Sequence, residues 1–442
     1  MNHISTSTGR AVPSTRLHRL WHLGLATSDL ASGVGMRGLI ELARARGDEP
    51  SRIRLNPRAT RRFTDRLARM RGAAMKVGQL MSMDGSDVFT PEAAEIMATL
   101  RDRAEPMPMS QLVRVLDAEL GRDWNHRFKR FEFTPIAAAS IGQVHRAETH
   151  DGQGVALKIQ FPGVRDSIDS DLDNLAAISR TLGFVPRGMD IGPLLDEARR
   201  QLHQEADYSA EAASLEAFGR LIGDDPDFAV PRVHTELSTS RVLAMSFADG
   251  VPVDRLADPH YTRADRDRVA TLLSRLALRE LFEFGLMQTD PDFGNFLYDP
   301  ASGRIALLDF GAVQRISPEL VDHYRRIGRA GLADDIEGLR DGAVALAYIG
   351  HEDSPEQVAP LLELIRLSGE ILRHDGPYDF GASTLFERVL LRGRDLYYEN
   401  AFRRLPDPAT LFLHRKFVGI LMLCRRLRAR VDLRGLMSEF LD

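Results

Sequence analysis

The segment from Gln288 to Gly311, QTDPDFGNFLYDPASGRIALLDFG, limits what this chain can fold into more than any other part of the sequence. Asp290 and Asn295 stand five residues apart, and Asp309 begins an Asp-Phe-Gly triplet after an apolar stretch. A kinase-type nucleotide site needs a carboxylate at the attacking nucleophile, an amide five residues later that can hold Mg²⁺, and a second Asp that bridges the metal to the phosphates. The spacing therefore indicates the metal-binding half of such a site.

The stretch between these residues predicts a β-hairpin. Residues 295–298 and 304–308 have the composition of strands, and residues 299–303 between them, Asp-Pro-Ala-Ser-Gly, are turn formers. Taken singly, each motif would also fit an ordinary loop rich in Asp, Pro and Gly. Because the two motifs occur in the order and the context that the chemistry requires, we favour a nucleotide site.

The chain upstream contains a candidate loop and a candidate lysine for the phosphates. The loop lies within residues 136–144 and consists of small side chains, among them Ala137, Ala138, Ala139 and Ser140. A strand with the sequence VALKIQF follows and carries Lys158. Ammonium and guanidinium groups are not interchangeable in phosphate contacts, so each lysine of an arginine-rich chain merits attention. Beside 54 arginines the chain has four lysines: Lys76, Lys129, Lys158 and Lys416.

Residues 194–218 have a strongly helical composition and predict one helix after this strand. The helix would present three candidate carboxylates, from Glu205, Asp207 and Glu211. We expect Glu211 to form an ion pair with Lys158, which leaves the other two carboxylates available for another task. The competing interpretation is a solvated acidic face on a surface helix.

In this order, these elements resemble the UbiB-type atypical kinase-like proteins associated with ubiquinone biosynthesis. The resemblance covers about residues 20–435 and includes Lys76-Val77-Gly78-Gln79, which matches the KxGQ motif of that family. The QTDP sequence at 288–291 is more similar to the branch with the mitochondrial proteins than to the HADPHPGN form of many bacterial members. The resemblance implies an α+β, protein-kinase-like bilobal fold with a helical N-terminal extension over the active site.

The resemblance also implies ATP and Mg²⁺ as cofactors and assigns roles to the candidate residues. Asn295 and Asp309 would hold Mg²⁺, and Asp290 would orient the attacking hydroxyl or water. Lys158, oriented by Glu211, would contact the phosphates beneath the alanine-rich loop.

A second set of implied roles concerns the entrance to the site. Lys76 lies in an apolar helical segment, so burying its charge would require a carboxylate partner. The resemblance places Lys76 near Glu205 and Asp207, where the three would gate the nucleotide pocket. Backbone groups of the hinge around Met245 would read adenine. Asp292, which departs from the family pattern, would either strengthen metal binding or lie idle at the surface of its loop.

Two features argue against ordinary protein phosphorylation. Alanine side chains restrict the close backbone approach to phosphates that glycine allows. The sequence after Gly311 moves directly into a helical pattern, without an Ala-Pro-Glu element. We therefore expect a lipid-like or small substrate, or ATP hydrolysis coupled to a conformational change, in support of ubiquinone biosynthesis. The alternatives are a small-molecule phosphotransferase of the aminoglycoside-kinase type and a nucleotide-binding scaffold without turnover.

Composition and local sequence pattern indicate how the chain divides into domains and which partners it lacks. The pattern predicts a helical extension over residues 1–130, a small sheet-containing lobe over 131–245 and a mostly helical lobe over 246–442. A net charge of −5 gives no reason to expect nucleic acid as a partner, and the single Cys424 excludes an internal disulfide.

The expected location is the bacterial cytoplasm, with peripheral contact to the inner membrane and with a lipid or enzymes of the quinone pathway as partners. The first 28 residues contain no acid and superficially resemble a transit peptide, although arginine is frequent throughout the chain. Residues 411–431 combine basic and apolar side chains, and their apolar run of eight residues, 417–424, is too short to span a bilayer. We expect this segment to be a packed terminal helix.

Overall fold

The structure is a computed structural model that describes residues 106–139, 141–181, 192–290, 292–350, 353–399 and 408–441. Lys76, Ser140 and the greater part of the predicted helical extension lie outside these ranges. The chain divides into two compact units. The first runs to Ala213 and takes in Arg232–Phe247, and the second comprises Ser214–Pro231 and the chain from Ala248 onward.

The first unit contains an antiparallel sheet in the order β1-β3-β4-β6, with β2 paired to the other end of β3. Strand β4 is central because it pairs with β3 along one edge and with β6 along the other. Both of its faces are buried, with Val155, Leu157 and Ile159 on one face and Lys158 and Gln160 on the other. The β-branched residues Val155 and Ile159 favour this pleated, packed conformation. The strands are β1 Arg130–Phe131, β2 Ala137–Ala138, β3 Gly142–Glu148, β4 Gly154–Gln160 and β6 Val242–Ser246.

Among the described residues, this part of the chain forms the helices α1 Met109–Leu120, α2 Val164–Thr181, α3 Gly192–Glu205 and α4 Tyr208–Ile222. The boundary between the units falls within α4. The prediction of a single helix over 194–218 is therefore wrong in one respect, because two non-helical residues, 206 and 207, separate α3 from α4. Asp207 causes the new start, since its carboxylate accepts hydrogen bonds from the N–H groups of Ser209 and Ala210 at 3.1 and 3.2 Å.

The second unit is mostly helical. Its helices are α5 Arg263–Arg279, α6 Pro318–Ala333, α7 Ile336–Ala345, α8 Pro355–Ser368, α9 Glu370–Arg373, α10 Leu385–Glu399, α11 Pro408–Leu427 and α12 Leu433–Ser438. A capping box between Thr262 and Asp265 begins α5, and Ser317 caps α6 ahead of its first-turn proline. One π-helical turn, Glu280–Phe284, follows α5 and ends at Gly285.

Short strands of the second unit form one four-stranded sheet, in the order β5-β10-β9-β7, and two strand pairs, β8 with β11 and β12 with β13. Their bounds are β5 Phe228–Ala229, β7 Val251–Pro252, β8 Leu286–Gln288, β9 Phe296–Tyr298, β10 Ile305–Leu307, β11 Val313–Arg315, β12 Tyr378–Asp379 and β13 Arg430–Val431. The predicted hairpin is present as β9 and β10. The chain after Gly311 first forms β11 and only then enters α6, so the expected direct passage into helix is wrong.

Helix α11 packs along α5, where its Cys424 Sγ lies 3.9 Å from Ser274 Oγ. Leu413, Leu423 and Leu427 of α11 are fully buried. The packed terminal helix expected near the end of the chain is thus present. Over the described ranges, no helix has the length and apolar composition that crossing a bilayer requires.

Candidate functional site

The β9–β10 hairpin holds Asn295 and Asp309 at the same end. Leu297 pairs with Ala306 and Phe296 with Leu307, so the residues before β9 and after β10 emerge together. Leu308 N–H donates to the Asn295 carbonyl oxygen at 2.9 Å, which ties the two ends directly. The six residues between the strands, 299–304, fix this register through local turn chemistry, and a slip of one residue would turn every side chain to the other face.

Asp309 and the residues after it are fixed from two sides. Its Oδ1 accepts a hydrogen bond from Gly311 N–H at 2.9 Å. Phe310 is buried and packs against Phe218, with the ring centroids 4.6 Å apart. The buried Phe310 ring and the backbone turn at Gly311 therefore fix the position of the Asp309 side chain.

Asp290 lies after β8 and is held by both its side chain and its backbone. Arg415 Nη2 lies 3.1 Å from Asp290 Oδ1, and both side chains are largely buried. Gln288 Nε2 donates to the Asp290 carbonyl oxygen at 2.6 Å, and Asn295 Nδ2 lies 3.5 Å from the same oxygen. The side-chain amide of Asn295 therefore lies against the backbone of Asp290, five residues earlier in the chain.

Asp292 is an exposed residue that begins the short turn Phe293–Asn295 by accepting a hydrogen bond from Gly294 N–H at 2.8 Å. Although the residue as a whole is exposed, shielding of its carboxyl group from water raises its pKa, and the charges of Asp290, Asp309 and Asp254 raise the pKa further. Asp292 therefore caps a turn at the surface of its loop, and the two roles considered for it stay predictions.

The oxygen ligands gathered here fit a magnesium ion. Mg²⁺ favours carboxylate and amide oxygens and is usually held by one or two carboxylates together with substrate phosphates. In the described part of the chain, no three His, Cys, Asp or Glu side chains form a cluster that could hold a metal ion. Asn295 and Asp309 are the residues that would hold the ion, in a field that the neighbouring carboxylates make favourable for a cation.

In the first unit, Lys158 pairs with Glu211. Lys158 Nζ lies 2.7 and 2.9 Å from the two carboxylate oxygens, and the two residues are only 8% and 2% exposed. The Nζ also lies 5.3 Å from the ring centroid of Tyr208, in the first turn of α4. The ion pair expected from the sequence is present. Its bidentate geometry fixes a lysine that would otherwise have several rotamers.

The same face of β4 also holds the segment that carries Glu205 and Asp207. Gln160 is two residues after Lys158 and is buried, and its Nε2 donates to the Ala206 carbonyl oxygen at 3.1 Å. Asp207 then caps α4, the helix that delivers Glu211. The chain between α3 and α4 is thus anchored to the strand that bears the lysine.

The alanine-rich segment is partly a strand rather than a free loop. Ala137 and Ala138 pair with Val144 and Gln143 of β3, and Ala139 N–H donates to the Gly142 carbonyl oxygen at 2.9 Å. Ser140 lies outside the described residues.

Met245 lies in β6, is buried, and pairs with Ala156 of β4. Met245 therefore lies in the last strand of this sheet along the chain.

We predict that Gly142→Ala destabilises the protein. A Cβ at Gly142 would lie 2.5 Å from the Ile159 carbonyl oxygen and 2.7 Å from the Tyr208 hydroxyl. The Ile159 oxygen belongs to the backbone of β4 and cannot move aside alone, so the free energy of unfolding should fall by about 1–3 kcal/mol. Gly219→Ala is the control, since its Cβ would meet only Val230 Cγ1 at 3.9 Å within α4. Equal stability of the two variants in urea denaturation would contradict the prediction.

Sequence reasoning missed four residues around Asp290. Arg415 and Gln288 contact it directly, and Lys416 and Glu280 form a fully buried ion pair behind it, with Nζ and Oε2 2.8 Å apart. One signal was available, because Lys416 is one of four lysines in the chain. Its partners could not be identified, since no local pattern links residues more than 120 positions apart.

An Asp-x4-Asn loop joined to an Asp-Phe-Gly triplet by one hairpin, and a strand lysine paired with a helix glutamate, define a protein-kinase-like fold. The chain belongs to the ABC1 atypical kinase-like family, whose domain pattern matches residues 99–341, more than half of the chain. The family predicted from the motifs and the α+β kinase-like class are therefore confirmed. The chain is an atypical kinase-like enzyme.

Relatives match nearly the whole chain. The sequence is 36% identical to the mitochondrial atypical kinase COQ8B of Rattus norvegicus, over 98% of this chain and 82% of that protein. It is 35% identical to the mitochondrial atypical kinase COQ8 of Saccharomyces cerevisiae, over 98% and 86%. A solved structure of a Mycobacterium tuberculosis protein in complex with erythromycin is 28% identical, with a TM-score of 0.60, over 87% of this chain and 95% of that one.

Proposed function

We propose that this chain is an ATP-binding, Mg²⁺-dependent atypical kinase or ATPase that supports ubiquinone (coenzyme Q) biosynthesis and is not an ordinary protein kinase. The observation that carries the proposal is the hairpin that sets Asn295 and Asp309 side by side, next to the Asp290 loop. The names of the mitochondrial relatives support the link to coenzyme Q.

The residues divide the chemistry between them. When bound, Mg²⁺ neutralises charge on the β- and γ-phosphates and thereby favours attack at phosphorus. Asn295 and Asp309 supply its protein oxygens. Asp290 orients the hydroxyl or water that attacks. Lys158 is kept in one rotamer by Glu211 and contacts the phosphates.

Access to the site involves three further residues. We assign Lys76, from the helical extension over residues 1–130, to gate the pocket with Glu205 and Asp207 and so to limit phosphoryl transfer to protein. The hydrogen bond from Gln160 to Ala206 supports a fixed position for these two carboxylates. The alanine-rich loop, residues 137–140, covers the phosphates, and the hinge at Met245 reads adenine. Lobes over 131–245 and 246–442 complete the proposed organisation.

The cellular setting follows from the pathway. A quinone intermediate is held in a membrane, so an enzyme that serves it works at that surface. We place the chain in the cytoplasm with peripheral contact to the inner membrane, and with a quinone-pathway lipid or the enzymes that process it as partners.

Asp309→Asn is expected to remove Mg²⁺-dependent ATP hydrolysis, with a loss of at least about 100-fold in turnover, because the variant lacks the anionic oxygen that holds the metal on the phosphates. Hydrolysis is measured with purified protein, with and without anionic-lipid vesicles that contain a quinone-like phenol. We expect turnover to rise with the vesicles.

Asp299→Asn is the matched control, because Asp299 lies in the turn at the far end of the same hairpin, where an Asn can still accept from Ala301 N–H. Tight ATP binding without turnover under every condition would replace the proposal with a nucleotide-binding scaffold. A phosphorylated soluble small molecule, with no response to vesicles, would point to a small-molecule phosphotransferase.

A further inference from the structure

Helix α11 delivers two consecutive cations to the segment that contains Asp290. Arg415 reaches the Asp290 carboxylate, with Nη2 and Oδ1 3.1 Å apart. Lys416, the next residue, points into the interior of the second unit and is 1% exposed. Neighbouring side chains on a helix diverge by about 100°, so the two cations contact different parts of this segment.

Lys416 begins a continuous polar chain that ends on the backbone of Asp290. Its Nζ lies 2.8 Å from Glu280 Oε2 and 3.1 Å from Gln288 Oε1. Gln288 uses its other amide atom, Nε2, to donate to the Asp290 carbonyl oxygen at 2.6 Å. The Gln288 side chain can serve as this link only if its Oε1 faces Lys416 and its Nε2 faces Asp290, and the lysine, which has no acceptor, enforces that orientation.

Glu280 supplies the charge that keeps Lys416 in place. It is the first residue of the π-helical turn Glu280–Phe284, a kind of turn that is frequent at functional sites. It is 1% exposed, and the nearby Gln288 backbone N–H favours its charged form. The buried ion pair therefore fixes the Gln288 side chain through Lys416.

Stability alone does not account for this arrangement. A buried ion pair contributes no more to stability than well-packed apolar residues of the same volume often do. The buried pair also orients Asp290, because its side-chain contacts run from Lys416 through Gln288 to the Asp290 carbonyl oxygen. Arg415 independently contacts the carboxylate of the same residue.

We propose that Arg415 and Gln288 are positioning residues for Asp290, with Arg415 holding its carboxylate and Gln288 holding its carbonyl group, and with the buried Lys416–Glu280 pair holding Gln288. The inference rests on the proposed function, in which Asp290 orients the nucleophile. The second unit thereby sets the direction of attack through a helix from the far end of the chain.

Arg415→Gln and Gln288→Met test the proposal. Each should lower kcat for ATP hydrolysis by about 100-fold, because a nucleophile displaced by less than an ångström reacts far more slowly. The KM for ATP and the affinity for a non-hydrolysable ATP analogue should change by less than about threefold, since neither residue is placed on the nucleotide. Arg415→Lys should recover part of kcat, because it restores the charge without the planar fork.

Arg425→Gln is the matched control. Arg425 lies on the same helix about 15 Å further along and pairs with Glu387 at the surface. The Arg425→Gln variant loses one positive charge, as Arg415→Gln does, but the charge is far from Asp290. We therefore expect its kcat to equal that of the wild type. Activity of Arg415→Gln and Gln288→Met within about twofold of Arg425→Gln would overturn the proposal.

Hydrogen–deuterium exchange separates this inference from the proposed function. In Gln288→Met and Arg415→Gln, the amides of residues 286–296 should exchange several-fold faster, while those of β3 and β4 keep the wild-type rate. If the wild-type protein hydrolyses no ATP, the proposed function fails, and faster exchange in the two variants would still support the positioning. Unchanged exchange in both variants would overturn it.

Discussion

Lys158→Met is expected to lower ATP hydrolysis by about 100-fold and to destabilise the first unit by about 3–5 kcal/mol. The loss of activity follows from the missing cation at the phosphates. The loss of stability follows from Glu211, which is 2% exposed and would lose the ammonium group that lies 2.7 Å from its carboxylate. Hydrolysis assays and urea denaturation measure the two effects on the same preparation.

The double variant Lys158→Met with Glu211→Gln separates the two effects. With both charges gone, no buried ion is left without a partner, so most of the stability should return. Hydrolysis should stay low, because nothing replaces the ammonium group. Recovery of hydrolysis in the double variant would show that Lys158 acts only through the packing of its unit.

The second large effect is expected for Lys416→Met, which should lower the free energy of unfolding by about 3–5 kcal/mol. Glu280 would lose its cation while it remains 1% exposed. Burial already raises the pKa of the Glu280 carboxyl, against the opposing effects of Lys416 and the Gln288 N–H, and removal of the lysine leaves burial less opposed. The free energy of unfolding is measured by denaturation that is followed by far-ultraviolet circular dichroism.

The sign of the pH dependence follows from the raised pKa of Glu280. A carboxyl whose pKa is higher in the folded state than in the unfolded state binds its proton more tightly when folded. It therefore favours folding below its unfolded pKa, and this advantage is lost as the pH rises through the folded pKa. We expect Lys416→Met to lose most stability at neutral and higher pH and to lose less in mild acid.

Two further variants serve as controls for the Lys416→Met prediction. Lys129→Met removes a lysine from a surface pair with Glu148, so its cost should be small beside that of Lys416→Met. Glu280→Gln combined with Lys416→Met leaves neither residue of the pair charged, so it should regain at least half of the lost stability. A double variant as unstable as Lys416→Met alone would mean that packing, and not charge, is responsible.

The features that could be predicted from the sequence are those encoded by local spacing. The β9–β10 hairpin was readable because strand formers flank Asp-Pro-Ala-Ser-Gly, and turn chemistry acts over a few residues. The Lys158–Glu211 pair was readable for a different reason, since a kinase-type phosphate lysine requires a carboxylate on the following helix. In both cases a single physical requirement leaves only a few residues that could fill the role.

The features that were missed have equally physical reasons. The break between α3 and α4 was hidden because the composition on both sides favours helix, although Asp207 is a good N-cap residue. The contacts of α11 with Glu280, Gln288 and Asp290 depend on tertiary packing over more than 120 residues, where neither hydrophobic period nor motif spacing carries information. The roles proposed for Lys76 and Ser140 fall outside the described residues and stay predictions.

The position of α11 also bears on where this catalytic domain ends. The family pattern stops at residue 341, whereas the cations that neutralise Asp290 and Glu280 lie within Pro408–Leu427. A fragment cut at 341 would keep the carboxylates and discard their counter-ions, and so would contain a core glutamate with its lysine removed. Charge balance therefore sets a longer minimal domain than sequence similarity does, and shortened versions of this enzyme should retain the chain at least through α11.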